Sequence, residues 1–277
     1  MSGDALFKAH LENTRALDGA FDLVAKQCRA AIARGDSETT ELLTKTCGFL
    51  LGARMENRLF RLVHEPGAFD EGQRRRILAA QSIQSSWETL IEEAYASRRG
   101  LGPHQIPQQL SFTDRARYNE LIRVVREELA PMITLRNVLG HGQWHRALDA
   151  DRKQISPDRT RLVKTTRLWH LNIRANLLDQ LVWLVHDLAV TAGAFERDFD
   201  KRWSRLMSAK ARLERDNFGA YEASLRRQRA NSLANRPHES YLKSRSPGCR
   251  FDASALFTRT RSLLARFVAR QSDSSPS

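Results

Sequence analysis

Apolar side chains recur every three or four positions along most of the chain, which is the spacing that places residues on one face of an α-helix. The first stretch of this kind runs from about 4 to 34, and Gly35 suits its C-terminal cap. A second helix, capped by Asp36 or Ser37, is expected to end near His64. We find no alternating strand pattern of useful length, so the sequence predicts an all-α fold.

Two more helices are expected on either side of a loop. A third helix is predicted from about Asp70 to Arg99, closing at Gly100. The segment GLGPHQIPQQLS holds two Gly and two Pro in a dozen residues, which is typical of a loop. A fourth helix is predicted from 113 or 114 to 139, and Pro131 inside it predicts a kink because proline lacks the backbone donor.

The most apolar segment, NLLDQLVWLVHDLAVTAGAF, predicts a buried fifth helix. It is interrupted by Asp179, His186 and Asp187, which argues against a membrane span, since a span needs about 20 nearly uninterrupted apolar residues. The charged segment beyond Gly193 is expected to project from the core. Together these patterns predict an up-and-down bundle of about five long helices over residues 1–200, with a basic helical extension and tail over 201–277.

Positive charge is concentrated in that extension. The formal net charge is +13 and the pI about 10.4, but residues 1–200 carry 28 basic and 26 acidic side chains while 201–277 carry 17 and 6. A basic extension favours polyanionic partners such as RNA. Its amphipathic stretch FDASALFTRTRSLLARFVAR leaves three docking partners open: the bundle, a partner protein such as an antitoxin, or a membrane surface.

Cysteine usage and the N-terminus favour a cytoplasmic protein. The three cysteines Cys28, Cys47 and Cys249 form no CxxC pair, which argues against a disulfide framework or a thiolate zinc cluster. The N-terminal sequence MSGDALFKAH lacks the apolar core of a signal peptide. No cofactor and no integral membrane association are expected.

The segment ITLRNVLGHGQWHRAL, residues 133–148, carries the candidate chemistry. On a continuous helix Arg136 and His141 lie five positions apart, about 140° around the axis, and do not share a face. Gly140 is well placed to end the helix in a left-handed conformation, which would return His141 to the side of Arg136. The two glycines that flank His141 therefore predict that its imidazole lies exposed at the helix end, beside Arg136.

An Arg and a His held together suit metal-independent cleavage of RNA. Histidine titrates near neutrality and can deprotonate the 2′-hydroxyl, while a guanidinium neutralises charge on the phosphoryl oxygens. The departing 5′-oxygen needs an acid, and a symmetric homodimer would supply a second histidine for it.

The residues Arg136-Asn137-Val138-Leu139-Gly140-His141 resemble the signature of the HEPN superfamily, an Arg followed by a polar residue and then by a His after four to six positions. The helical bundle of that family resembles the layout predicted for residues 1–200. The resemblance implies a metal-independent endoribonuclease, commonly a toxin or antiviral defence effector, with a composite site in a homodimer. It implies that Arg136 stabilises phosphoryl charge and that His141 acts in acid/base catalysis.

Context separates this pair from two others with the same spacing, Arg58 with His64 and Arg98 or Arg99 with His104, because chance alone produces such spacings in an arginine-rich chain. Only Arg136 is followed by Asn, and only His141 is bracketed by glycines. The alternative is an Arg paired to a carboxylate and a His that caps a helix.

Three neighbouring residues are candidates for substrate binding: Asn137, Trp144 and His145. Trp144 could stack on an unpaired base or anchor a buried loop. His141 and His145 have the i, i+4 spacing of a zinc pair, although Gly142 between them opposes a helix there. Arg54 and Arg58 could reach an anionic substrate or form a solvated helix face. The alternative function is a non-catalytic helical module that binds RNA or a partner protein through the basic C-terminal region.

Overall fold

The computed structural model describes residues 3–215 and 217–235, and their regular structure is helical apart from one isolated antiparallel bridge between Leu148 and Ile155. A 3₁₀ turn spans Pro103–Gln105 and a π turn spans Val125–Leu129. The all-α prediction is confirmed for this part of the chain. The α-helices are α1 (Gly3–Arg34), α2 (Ser37–Val63), α3 (Glu71–Leu78), α4 (Ile83–Arg99), α5 (Phe112–Val124), α6 (Ala130–Gly140), α7 (Pro157–Thr165), α8 (Leu168–Val190), α9 (Ala192–Leu213) and α10 (Phe218–Ala234).

The hairpin of α1 and α2 forms where the sequence predicts it. Gly35 takes the left-handed conformation with φ +74°, and the Asp36 side chain accepts the backbone N–H of Thr39 at 3.0 Å. The interface of the two helices buries Cys28 and Cys47 as free thiols, and it also contains polar contacts such as those of Asn57 with His10 and Thr14. Burial raises the pKa of Cys47 to about 12, so this thiol stays protonated at neutral pH.

The single helix predicted from Asp70 to Arg99 is wrong, because α3 and α4 are separate helices. The Ser82 side chain accepts the backbone N–H of Ser85 at 3.1 Å and starts α4 there. Gly100 ends α4 with φ +64°, as predicted. The largest side chains of α4, Trp87 and Tyr95, are fully buried.

The irregularity expected at Pro131 lies in the turn before it. The backbone N–H of Ala130 donates to the carbonyl of Val125, five positions back, and the π turn joins α5 to α6. Since Pro131 has no N–H to offer the preceding turn, the regular i→i−4 pattern is interrupted at this point.

The predicted buried helix is α8, whose leucines Leu177, Leu178, Leu181 and Leu184 are fully buried. The first part of the charged segment beyond Gly193 does not project from the core, so the prediction is wrong for residues up to 213, whereas α10 farther along has no buried residue. This first part forms α9, which packs against α8 because Phe195, Phe199 and Leu206 lie on one apolar face and are buried.

One compact unit runs over Met1–Ala230, so it includes α1 to α9 and most of α10, and the boundary predicted at residue 200 falls inside α9. The amphipathic stretch 251–270 of the basic extension lies outside the described residues. Among the helices of the described part, none combines the length and apolar character that crossing a membrane requires.

Candidate functional site at the C-terminal end of α6

The left-handed residue that ends α6 is Gly142, whereas the sequence predicts Gly140. The helix runs through Gly140, His141 is its C-cap, and Gly142 takes the left-handed conformation with φ +75°. The N–H of Gly142 donates to the carbonyl of Leu139 at 3.0 Å, which closes the helix end. The expected reversal at Gly140 is therefore wrong, and the angular separation of Arg136 and His141 on the helix persists.

Arg136 faces α2. Its guanidinium forms an ion pair with Glu56, and its Nη1 donates to the side-chain oxygen of Asn137 at 2.7 Å. Its Cβ lies against Gly52, where an added Cβ would approach to 2.4 Å. Burial lowers the pKa of the Arg136 guanidinium, the direction expected when a cation loses water. Arg136 is thus bound into the α2–α6 interface, as the alternative of an Arg paired to a carboxylate supposed.

His141 faces a different environment, a cavity of about 230 Å³ between the end of α6, the loop 141–156 and α7. Its Nδ1 lies 3.3 Å from Nη2 of Arg152. His141 and Arg152 are both exposed, whereas Arg159 is half-buried. The polar residues that line the cavity are Thr134, Asn137, His141, Gln143, Asp149, Arg152 and Arg159.

Arg152 reaches this cavity from a short hairpin closed by the bridge of Leu148 and Ile155. Asp149 fixes the hairpin tip, since its N–H donates to the carbonyl of Gln154 at 2.9 Å and its Oδ1 accepts the N–H of Lys153 at 2.9 Å. Arg152 has φ +58°, a left-handed conformation that is unfavourable for a residue with a Cβ.

The base of the hairpin is tied to the surrounding helices. Gln143 accepts the N–H of Leu148 at 2.8 Å, and Arg159 Nη1 donates to the carbonyl of Leu148 at 3.1 Å. The Thr160 hydroxyl accepts the N–H of Ala147 at 3.0 Å, and Ala147 is fully buried. The loop is therefore held at its base by side chains from α6's end and from α7.

The charges that line the cavity favour an anion. Two guanidinium groups, those of Arg152 and Arg159, outnumber the one carboxylate of Asp149. A guanidinium has five donors and no acceptor, so Arg152 donates to His141, and the neutral ring then carries its proton on Nε2. The cavity can hold a phosphate-sized anion beside an imidazole, a group able to transfer protons near neutral pH.

Of the predicted site residues, the structure brings Asn137 and His141 to the same cavity. Trp144 is half-buried, packs against the core, and its Nε1–H donates to the carbonyl of Leu139 at 3.0 Å. These contacts favour the loop anchor over the base-stacking residue. His145 lies in an exposed turn toward Glu41, whose pKa is lowered first by Lys45 and to a lesser extent by His145.

The i, i+4 zinc geometry considered for His141 and His145 requires a helix through both residues, and α6 ends at Gly140. In residues 3–215 and 217–235, no three His, Cys, Asp or Glu side chains cluster in a way that could hold a metal ion.

Arg152 and Arg159 were missed as site residues. Both fall in DADRKQISPDRTR, which stands out in the sequence as a charged connection containing Pro157. Nothing in the residue spacing indicates which of its charged side chains returns to the end of α6, because that depends on the left-handed turn at Arg152.

The remaining candidate pairs have structural partners. Arg54 and Arg58 both pair with Asp18 of α1 and Asp179 of α8, so neither of the two alternatives for these arginines describes them. The ring of His64 stacks on that of His10 at 5.7 Å. Arg98 and Arg99 pair with Glu196 of α9.

Comparison of the chain with known protein families, with curated proteins and with solved structures gives no match.

Proposed function

We propose that the protein is a metal-independent endoribonuclease whose reaction takes place at the cavity beside His141. The observation that carries the proposal is the contact of His141 Nδ1 with the Arg152 guanidinium in a cavity that Arg159 also lines. An imidazole can act as the base and two guanidinium groups can stabilise phosphoryl charge during in-line attack on a phosphodiester. The resemblance of residues 136–141 to the HEPN signature supports the same chemistry.

The reaction needs a base, a site for charge and an acid. His141 removes the proton of the ribose 2′-hydroxyl, and the 2′-oxygen attacks the adjacent phosphorus. Arg152 and Arg159 stabilise the charge that develops on the phosphoryl oxygens. The bond to the 5′-oxygen breaks, and that oxygen takes a proton from His141 of the partner subunit in a homodimer. The products are a 2′,3′-cyclic phosphate and a 5′-hydroxyl.

Arg136 has a supporting role in this proposal. Because its Nη1 donates to the Asn137 side-chain oxygen and Asn137 lines the cavity, Arg136 holds the Asn137 amide group in place beside the cavity. Arg136 thereby acts through Asn137, while Arg152 and Arg159 take the electrostatic role that the sequence assigns to Arg136. The catalytic role of Arg136 itself stays a prediction.

RNA and a second copy of this chain are the partners that the proposal requires. An endoribonuclease with this chemistry would act in the cytoplasm as a toxin or an antiviral defence effector. An antitoxin or a defence-system protein would then hold it inactive, and the 17 basic against 6 acidic residues of 201–277 would attract an acidic partner.

The test is cleavage of mixed RNAs by the full chain in EDTA. The wild type should cut RNA and leave cyclic phosphate ends, and His141→Gln should lower the rate at least about 100-fold. Arg152→Ala should lower it by a similar factor, because it removes a donor to the transition state. Lys153→Ala is the matched control, since Lys153 is an exposed cation on the same hairpin that does not line the cavity.

Cleavage that persists in His141→Gln would overturn the proposal. So would wild-type activity that disappears in EDTA and returns with a divalent cation. Measuring the molecular mass in solution shows whether the protein is a homodimer. RNA cleavage by a monomer would contradict a site shared between two subunits.

A second candidate function is a non-catalytic RNA-binding or protein-interaction module. The ion pair of Arg136 with Glu56 favours it, because this pair gives the Arg of the motif a purely structural task. Such a module would bind RNA without cutting it, and His141→Gln would leave the affinity unchanged. Fluorescence anisotropy with a labelled RNA separates the two functions.

A further inference from the structure

Arg152 is held by its backbone and engaged by its side chain at the same time. The residue has φ +58° at the tip of a hairpin whose turn is fixed by three backbone or side-chain bonds of Asp149. Its guanidinium contacts Nδ1 of His141 at 3.3 Å, a distance longer than that of a charge-assisted hydrogen bond. The backbone of Arg152 is therefore firmly held, whereas the contact of its guanidinium with His141 is weak.

That contact occupies the basic nitrogen of His141. Because the guanidinium only donates, the neutral imidazole accepts at Nδ1 and carries its proton on Nε2. A nitrogen that accepts from an arginine is not available to take a proton from another group. As long as Arg152 keeps this bond, Nδ1 of His141 cannot serve as a base.

We propose that Arg152 is a phosphate-operated latch on His141. An anionic phosphate oxygen is a stronger acceptor for a guanidinium than a neutral ring nitrogen, and two such oxygens match its paired donors. A phosphate monoester or diester in the cavity therefore draws Arg152 off Nδ1 and exposes that nitrogen. The ligand class is a phosphate group, and the same group that binds also prepares the base.

The hairpin confines the movement to the side chain. Leu148 is tied to Gln143 and to Arg159, and Ala147 is tied to Thr160, so the base of the hairpin stays in place. Arg159 keeps its bond to the Leu148 carbonyl with one nitrogen and retains further donors for the phosphate. A rotation of the Arg152 side chain is then enough to exchange one acceptor for the other.

The latch uses the cavity of the proposed ribonuclease but does not depend on cleavage. Its test is the imidazole ¹⁵N spectrum of His141 in the full chain at neutral pH, with inorganic phosphate as the probe and chloride of equal ionic strength as the control. In the wild type the pattern before phosphate should be that of a ring protonated at Nε2. Phosphate should move the Nδ1 resonance, and chloride should not.

Arg152→Gly is the decisive variant. Glycine adopts a positive φ without strain, so this variant should fold as well as the wild type. Its Nδ1 resonance should already differ from the wild type without phosphate, and phosphate should bind about tenfold more weakly. Lys153→Ala, on the same hairpin, should behave as the wild type does.

An Nδ1 resonance that is the same in the wild type and Arg152→Gly would overturn the latch, as would phosphate saturation of the wild type that leaves Nδ1 unmoved. Absence of any phosphate effect at millimolar concentrations would overturn it as well. If phosphate moves the Nδ1 resonance but the protein does not cut RNA, the latch is supported and the proposed ribonuclease function is contradicted. If the wild type cuts RNA but phosphate does not move its Nδ1 resonance, the ribonuclease function is supported and the latch is contradicted.

Discussion

Gly52 of α2 lies against Arg136 of α6 so closely that a Cβ at position 52 would stand 2.4 Å from the Arg136 Cβ. The same Cβ would stand 2.5 Å from the carbonyl oxygen of Met132. Neither neighbour is the far end of a flexible side chain, so the contact is between the bodies of two helices. This close approach sets the position of α6, and with it the position of His141 at the end of that helix.

Gly52→Ala should therefore destabilise the protein. Moving α6 away from α2 costs about 2 kcal/mol as an overpacked contact, which exceeds the roughly 1 kcal/mol that alanine gains over glycine inside a helix. Urea denaturation measures the change. Gly19→Ala is the matched control, because nothing lies within 4 Å of a Cβ there. It should stabilise the chain by up to about 1 kcal/mol; equal effects of the two substitutions would contradict the close packing.

The pair of Arg136 with Glu56 should matter for stability, whatever its role in function. The Glu56 side chain is 21% exposed, and Arg136→Ala leaves that carboxylate without its cation. We expect a loss of about 1 to 2 kcal/mol in the free energy of unfolding, the cost of a largely desolvated unpaired group. The double variant Glu56→Gln/Arg136→Met keeps the packing and removes both charges, so it should recover most of the loss. A double variant less stable than Arg136→Ala would refute this account.

Local signals explain the part of the fold that the sequence predicts. Asp36, Gly35 and Gly100 act through bonds within their own turns, so their capping roles can be recognised without a partner element. The break between α3 and α4 is different, because Ala79 and Ala80 favour a helix, so only the N-cap serine at 82 marks a new helix start in the sequence. The packing of α9 was obscured by its many charges, which surround a buried stripe that includes Phe195.

The candidate site could be predicted only in part. His141 and Asn137 were recognised because they lie in one short motif on one helix. Which of the two glycines beside His141 ends the helix is decided by the bond of Gly142 to the Leu139 carbonyl, and either glycine satisfies the sequence rule. Arg152 enters the site through a non-glycine residue with positive φ, a conformation that residue type does not predict.

Asp149 has two separable effects on the cavity, a turn bond and a charge. Asp149→Asn keeps a side-chain oxygen for the N–H of Lys153 and removes the one acidic group that lines the cavity. Inorganic phosphate should then bind a few-fold more tightly, since a like charge nearby costs about 1 kcal/mol in water. Asp149→Ala loses the turn bond too, so phosphate binding should weaken and amide exchange at the hairpin should accelerate. Calorimetry measures the phosphate affinity and hydrogen exchange measures the opening of the hairpin. Equal phosphate affinity in Asp149→Asn and Asp149→Ala would contradict separate effects of the turn bond and the charge.

His186 is placed to make stability depend on pH. Its Nε2 lies 3.4 Å from Glu65 and its Nδ1 3.5 Å from Asp187, and these carboxylates pair in turn with Arg61 and Arg202. The hydrogen bond with Glu65 is the main cause that raises the pKa of His186, while burial opposes it. The cluster joins the end of α2 to α8 and α9, so it links three helices of the bundle.

A raised pKa in the folded state means that protonated His186 stabilises the fold. This contribution is fully present below the unfolded-state pKa of about 6.5 and is lost as the pH rises through the higher folded-state pKa. The stability difference between the wild type and His186→Gln should therefore shrink as the pH rises from below 6.5 into the alkaline range. Burial lowers the pKa of His64 and gives an opposite trend, but His64 is common to both proteins and cancels in the difference. Glu65→Gln removes the largest cause and should flatten the wild-type profile in the same window. Urea denaturation across this pH range provides the check, and parallel profiles for the wild type and His186→Gln would show that His186 does not carry the dependence.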